Sequence, residues 1–506
     1  MDLKNMRADK YLVIVFIIFD IFVLSCQREN AEQPSEKILA RIGDKTISVN
    51  EFIRRAEYTI RPIYCRKDNY IHRKIVLNSL IAEKLLALEA GDENKLVKTP
   101  YFQDYLKGRQ EQAMRQWLFY NNFYQRVKLS PQKISERMKL VGRKYDISYF
   151  SVSDTYVAHK ISKTMHDTVD FKIKFNELSN GADLPRRFVQ WNNLETREVI
   201  NALYSGSPKK GDIIGPLKQD TNYIFIKING WTERVYLSQN TKKQLWEDVK
   251  EQMQYDEAKE EYVKFVKGLM KGKKLRFNNE TFETLVPIIA DDYLKSQEEK
   301  KAAFNNRFWK KESHRNDLDN HSSSLKDIID KPLFTVEGQT WTVRQFELAL
   351  VSHPLVFRKH NISKSEFAEQ LKFAIADLIR DQFITQEAYK HGYENVNVVK
   401  RNVSMWRDNL LAIYKRNSWL KLNNKEDEFK SNIIKTIEKD LNPYILSIMK
   451  KYNDEIEIDT ELFEKIKLSK INSFMTQRNM PFKIMVPSFP VITNHNKLDY
   501  GRKMQH

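Results

Sequence analysis

"IGDKTISVNEF" (residues 42–52) and "VEGQTWTVRQF" (residues 336–346) align without gaps and share Thr46/Thr340, Val49/Val343 and Phe52/Phe346. Each stretch alternates apolar with polar residues, then supplies Ser48 or Thr342 followed three places on by Glu51 or Gln345. Short alternation reads as an extended segment or small hairpin, and S/T-x-x-E/Q is a helix start signal. The chain therefore carries one hairpin-to-helix unit twice.

Two further matches follow in the same order. "LNSLIAEKLLALEA" (77–90) aligns on "IADLIRDQFITQEA" (375–388), sharing Leu80/Leu378, Ile81/Ile379, Glu89/Glu387 and Ala90/Ala388. Leu77, Leu80, Ile81, Leu85 and Leu88 fall on one broad helical face. "LRFNNETFETL" (275–285) matches "IEIDTELFEKI" (456–466), where strand alternation passes into helical spacing. Between these lie a long helix from Phe102 to Val127, anchored by Met114, Trp117, Leu118 and Tyr124, and its counterpart over 396–420, with Val403, Trp406, Leu410, Leu411 and Tyr414. Three ordered matches indicate duplication.

The expected fold class is mostly α with an α+β insertion: two related helical modules, the first carrying the insertion. Module 1 is read as 39–144 completed by 236–290, with 145–235 inserted. Residues 291–332, with "KSQEEKKAAF" and "HRNDLDNHSSS", read as a polar linker. Module 2 is read as 333–490, complete in itself and expected to fold alone at an ordinary domain size. Residues 491–506 are read as a tail.

At the start of the chain, Lys4, Arg7 and Lys10 precede "YLVIVFIIFDIFVLS", an apolar block interrupted by Asp20. A spanning helix needs roughly 20 apolar residues, and a shorter core behind a basic head reads as an export signal. The block ends in "FVLSCQREN" (22–30), and Ser25-Cys26 resembles the bacterial lipobox, in which the cysteine is acylated and becomes the new N-terminus. Residues 1–25 are thus read as a signal peptide, Cys26 as the lipidation site and 26–38 as a tether. The body is then expected in the periplasm or extracellular space. An uncleaved anchor is the alternative, against which Asp20 in lipid argues. Cys65, the other cysteine, reads as a small buried hydrophobe.

The net charge of +18 invites a nucleic-acid reading, but export argues against one. Stretches such as "KKQLWEDVKEQ" interleave lysines with acids, as on a solvated helix face. The expected consequence is weak attraction to anionic membrane surfaces or acidic client chains. No GxxxxGK[ST], HExxH or GxSxG pattern occurs, the histidines are scattered and glycine is scarce. No cofactor or metal site is expected.

"IGDKTISVNEF", "LIAEKLLALEA", a long amphipathic helix and "LSPQKISERM", in that order, resemble the N-terminal chaperone module of peptidyl-prolyl isomerases of the SurA and PrsA type. A parvulin domain follows in that family. Here "DISYFSVS" (146–153) resembles its first strand, "VDFKIKFNELSNG" (169–181) a helix, and "KKGDIIGPLKQDTNYIFIKINGW" (209–231) its closing turn and strand. The resemblance implies two SurA-N-like modules, a parvulin-like insertion, and a membrane-anchored chaperone binding unfolded or partly folded exported polypeptides. Active parvulins usually carry one histidine on the first strand and one on the last. Those places hold Tyr149 and Ile224, and the family's G-D-L-G turn has become "ADLPRRFVQW", so no catalytic residue is carried over.

Phe171, Trp191 and Tyr223, with Ile224, are candidates to line a cleft for extended client chain; the alternative is that they fill the domain's own core. Two other functions stay open. One is active isomerisation, which needs no nucleophile but only relief of part of a roughly 18–20 kcal/mol rotation barrier. The other is a structural or assembly subunit of an envelope complex.

Overall fold

The computed structural model describes residues 36–504 except 166, 180, 192–194, 220–221, 234–238, 296–298, 300–322, 360–361 and 469–484. Cys26 and the residues assigned to the signal peptide lie outside the described residues.

The first copy opens with β1 (Ile38–Ile42) and β2 (Lys45–Ser48), an antiparallel hairpin, then α1 (Val49–Glu57), α2 (Tyr70–Ala90) and α3 (Pro100–Asn122). Ser48 caps α1 by accepting from Glu51 N at 3.0 Å. Helix α4 (Pro131–Val141) leads into the insertion: β3 (Arg143–Val152), α5 (Thr155–Thr164), α6 (Thr168–Ser179), β4 (Arg186–Val189), α7 (Arg197–Ser205), β5 (Ile213–Gln219) and β6 (Asn222–Glu233). The chain returns through α8 (Gln239–Met270) to β7 (Leu275–Phe277) and α9 (Asn279–Tyr293).

The second copy has β8 (Pro332–Val336), β9 (Gln339–Thr342), α10 (Val343–Ser352), α11 (Lys364–Lys390) and α12 (Asn397–Leu422). Thr342 and Gln345 form the complete reciprocal cap of which the first copy keeps only the serine half. Glu51, the counterpart of Gln345, turns its carboxylate to Lys84 at 2.9 Å instead. The chain ends with α13 (Asn442–Lys451), β10 (Ile456–Ile458), α14 (Thr460–Lys465) and β11 (Arg502–Lys503). The described residues are mostly helical with three small sheets.

The closing strands are exchanged between the copies. The first hairpin takes β10 on its open edge, with Ala40 opposite Ile458 and Ile42 opposite Ile456. The second takes β7, with Leu275 opposite Val336 and Phe277 opposite Phe334. The long helices follow suit: α12 packs on α2, while α3 packs on α10 and α11. One core accordingly joins Ile47, Phe52, Leu77 and Ile81 to Ile456, Phe463 and Ile492, and another joins Phe346, Leu371 and Ile375 to Phe282 and Leu285.

This corrects four readings. Residues 236–290 do not complete the first hairpin, and 333–490 does not hold a whole core. Residues 491–504 are no loose tail: Ile492 and Thr493 are fully buried and β11 runs parallel to β10. Asn78 donates to the carbonyls of His495 and Lys497 at 2.8 and 2.9 Å. Gly501, at φ +72°, lets the chain pass β10 where a Cβ would lie 2.7 Å from the Ile456 carbonyl. The end of the segment read as linker is also core, since Leu325 and Ile328 are buried beside α9 and β8.

A buried polar cluster sits where α2 meets α12. Arg55 and Glu83, both fully buried, form a two-pronged pair at 2.7 Å, and Asn409 donates to Glu83 at 2.5 Å. Asp408 accepts from Lys45 at 2.8 Å and from Lys84 at 3.1 Å. Across the duplication, Arg115 of α3 reaches Thr385 Oγ1 of α11 at 2.6 Å. Cys65 is buried, and burial pushes its thiol up to about 12, so it stays a neutral hydrophobe.

Candidate functional site

The insertion is a four-stranded antiparallel sheet of order β4-β3-β6-β5. Because successive strand side chains point to opposite faces, β3 and β6 feed two separate cores. Tyr145, Ile147, Ile224, Ile226 and Ile228 meet Val199, Leu203 and Tyr204 of α7 on one face. Phe150, Val152 and Phe225 meet Phe171, Phe175 and Ile161 of α6 and α5 on the other.

The positions expected to hold histidines share the α7 face. Tyr149 lies opposite Ile226, and Ile224 opposite Ser151. Ile224 is only 1% exposed and surrounded by alkyl chains. The half-buried Tyr149 ring is roofed by the Arg187 guanidinium at 4.2 Å, and Arg187 is held by Glu195 at 2.9 Å. Beside them, Arg186 forks onto Asp146, and these hydrogen bonds hold the Asp146 carboxyl below the usual carboxylate range. Of the insertion's two histidines, His159 is exposed on α5 and His166 lies outside the described residues. The α7 face presents apolar packing and the phenols of Tyr145, Tyr149 and Tyr204, with no histidine pair among the described residues.

The candidate cleft residues are not brought together. Phe171 is fully buried, 5.0 Å from Phe150 ring to ring, on the α6 side. Tyr223 is half-buried on that same side, its hydroxyl accepting from Thr155 Oγ1 at 3.3 Å. Trp191 is across the sheet, edge-on to Tyr204 at 5.4 Å and packed toward Leu245 and Val249 of α8. The cleft reading for these residues is corrected to core for Phe171 and to a joint between insertion and helical body for Trp191.

An open cleft of about 590 Å³ lies elsewhere on the insertion, beside edge strand β5. Met165, Ala202, Ile213 and Ile214 give it apolar walls, and Asp167, Thr168 and Asp212 give it a polar rim. Both carboxylates are occupied with local turns: Asp167 accepts from Val169 N and Asp170 N at 2.7 and 2.9 Å, and Asp212 from Lys209 N at 2.7 Å. The cleft can bury an apolar side chain or flank an extended chain.

Helix α6 starts at this rim, and its sequence explains the surface beside it. "TVDFKIKF" places apolar residues two apart, at 169, 171, 173 and 175. On a helix that spacing is about 200°, so alternate members face opposite ways. Phe171 and Phe175 enter the core, which leaves Val169 64% and Ile173 48% exposed, one turn apart. The sequence reading chose the buried half of this helix; the two-residue period within a helical segment was the signal for the exposed half.

Among the described residues no cluster of histidine, cysteine and carboxylate side chains is placed to hold a metal ion, and no helix is long and apolar enough to cross a membrane. The chain matches no known family model, no curated protein and no solved structure.

Proposed function

We propose that this protein is a lipid-anchored chaperone of the SurA and PrsA type, holding unfolded or partly folded exported polypeptides, with two SurA-N-like modules and a parvulin-like insertion that binds without isomerising. The observation that carries the reading is the exposed Val169–Ile173 stripe beside an open cleft of mixed apolar walls and polar rim. Solvent-facing apolar side chains one helical turn apart have no role in the insertion's own core, and they suit transient contact with extended apolar segments. The resemblance in the order of the hairpin, helices and inserted strands supports the same reading. No cofactor enters it, and the excess positive charge serves attraction to membrane and client rather than nucleic acid.

The test pairs two assays on the mature chain. Val169→Ser with Ile173→Ser is expected to weaken suppression of client aggregation by about tenfold, since each apolar side chain contributes up to about 1.5–3 kcal/mol when fully covered. Its thermal midpoint should match the parent's, because both side chains face solvent. Proline-peptide isomerisation should stay at background. Robust isomerisation that Tyr149→Ala removes would overturn the non-catalytic assignment, and unchanged suppression in the double variant would remove the stripe from the site.

The anchor has its own test. Cys26→Ala is expected to abolish incorporation of labelled fatty acid in cells; labelling that persists in the variant rules the lipoprotein assignment out. Stable attachment takes more than one acyl chain, each adding about 0.8 kcal/mol per buried CH₂, so the processed protein should resist extraction by salt.

A further inference from the structure

The connection between the first two helices of each copy repeats as well. "RPIYCRKDN" (61–69) aligns on "HPLVFRKHN" (353–361) with proline, arginine, lysine and asparagine in common. The two loops differ in how their cations are partnered. In the second, Arg358 forks onto Asp377 at 2.8 and 2.9 Å, Lys359 pairs with Glu366, and Leu355 is buried at 7% exposure. In the first, Ile63, the counterpart of Leu355, is 78% exposed, with Ile60 at 72% and Ile71 at 52% beside it. Arg66 and Lys67 are exposed and form no ion pair with a carboxylate among the described residues.

The first loop is built to hold this surface outward. Arg61 is buried and donates to the Cys65 carbonyl at 2.7 Å, Arg66 Nε donates back to the Arg61 carbonyl at 3.1 Å, and Lys67 N donates to His72 Nδ1 at 2.9 Å. Thr59 is tied to the Arg55 carbonyl at 2.6 Å. Lys74 stands over the Tyr70 ring at 4.6 Å. Within residues 57–74 the acids are Glu57 and Asp68, the latter 3.8 Å from Arg73, against Arg61, Arg66, Lys67, Arg73 and Lys74.

Its place on the body matters. Ser48 donates to Glu36 and Val49 N donates to the Lys37 carbonyl, so the chain enters the body at the start of α1. The loop follows the far end of that nine-residue helix, about 13 Å away at 1.5 Å per residue. Cys26 precedes Glu36 by ten residues, which span at most about 35 Å. A lipid at Cys26 therefore puts a bilayer within reach of this loop, while the neutralised loop belongs to the other copy.

We infer that residues 58–74 form a membrane-docking surface that lays Ile60, Ile63 and Ile71 into the interface of an anionic phospholipid bilayer, with Arg66, Lys67 and Lys74 at the headgroups. Apolar side chains ringed by unneutralised cations are what such an interface takes up. The inference rests on the lipid-anchored reading, and docking would fix which side of the molecule faces the bilayer.

The test uses the chain from residue 27 onward, which keeps every described element and lacks the apolar signal segment and the acyl chains. It is sedimented with vesicles of equal parts phosphatidylglycerol and phosphatidylcholine, and with phosphatidylcholine alone. Binding to the anionic vesicles is expected, with loss of about tenfold or more for Arg66→Glu with Lys67→Glu and a comparable loss for Ile60→Ser with Ile63→Ser. Arg358→Glu with Lys359→Glu changes net charge equally and should bind like the parent. Equal losses for both charge reversals, or none for either, overturn the inference. So does a result in which the loop variants lose an unfolded acidic client but keep the vesicles, which would assign the patch to a protein partner. Fatty-acid labelling at Cys26 is read separately, so failure of the patch and failure of the anchor are distinguishable.

Discussion

A chain cut to residues 333–490 is expected to show no cooperative thermal transition, although it contains every element of the second copy through its closing strand. Its hairpin would lack β7, and its core would lack Phe282, Leu285 and Ile289, buried at 2%, 0% and 7% exposure. At about 1.5–3 kcal/mol for each buried side chain, these three alone approach the 5–15 kcal/mol by which whole domains are stable. Its own β10 would face solvent, because its partner β1 belongs to the first copy. Co-expression of residues 27–299 with residues 300–506, which restore the buried Leu325, Ile328, Ile492 and Thr493, should give a cooperative unit. A sharp transition from 333–490 alone, by circular dichroism, would contradict the exchange of strands.

Glu83→Ala is expected to cost about 3–5 kcal/mol in urea unfolding of the mature chain, the usual result of stranding a buried charge. Arg55 would lose both prongs of its carboxylate pair and keep its bond to the Ser488 carbonyl at 2.9 Å, in a site without solvent exposure. Replacing both partners, Arg55→Met with Glu83→Leu, should recover most of the loss, because the cost lies in the unpaired charge rather than in the missing pair. A Glu83→Ala loss below about 1 kcal/mol, a surface-pair value, would show that water reaches the cluster.

The same cluster sets an acid limb. Burial disfavours charge on Asp408, but Lys84 and Lys45 outweigh it and hold the carboxyl below its usual value of 3.8. A folded-state pKa below the unfolded one contributes stability at pH above the unfolded value and loses it as pH falls toward the folded one. Stability should therefore drop below about pH 4, with Asp408→Asn flattening that limb.

The duplication and the local elements were legible because they rest on short-range signals. Alternation in "KTISVNEF" and "QTWTVRQF", the serine and threonine caps and the face shared by Leu77, Leu80 and Ile81 all act within a few residues. Which closing strand joins which hairpin was not legible. "LRFNNETFETL" and "IEIDTELFEKI" present the same alternation to either edge, and loop-closure entropy grows only with the logarithm of loop length, so it barely separates the arrangements. Pairing of Asp408 with Lys84 and of Asn409 with Glu83 does depend on the exchange, since each joins α2 of the first copy to α12 of the second.

The site was partly legible. Strands over 143–152 and 222–233 and a helix over 168–179 were legible as elements, but Tyr149, Ile224 and Trp191 lie on one side of the sheet and Phe171 and Tyr223 on the other. Parity along β3 and β6 decides those faces, and parity in α6 decides that Val169 and Ile173 remain outside. The first loop's free cations were hidden for another reason: the two loops share their arginine and lysine, and it is Asp377 and Glu366 on the neighbouring helix that neutralise those cations in the second.

The most direct test of the holding role is a photo-crosslinker placed at Ile173 of the anchored protein in growing cells, followed by identification of everything attached to it. The account predicts many unrelated exported polypeptides, captured in their unfolded stretches and reduced when Val169 is also changed to Ser. A single partner captured in stoichiometric amount, unaffected by Val169→Ser, would contradict it and make the protein a dedicated subunit of an envelope assembly.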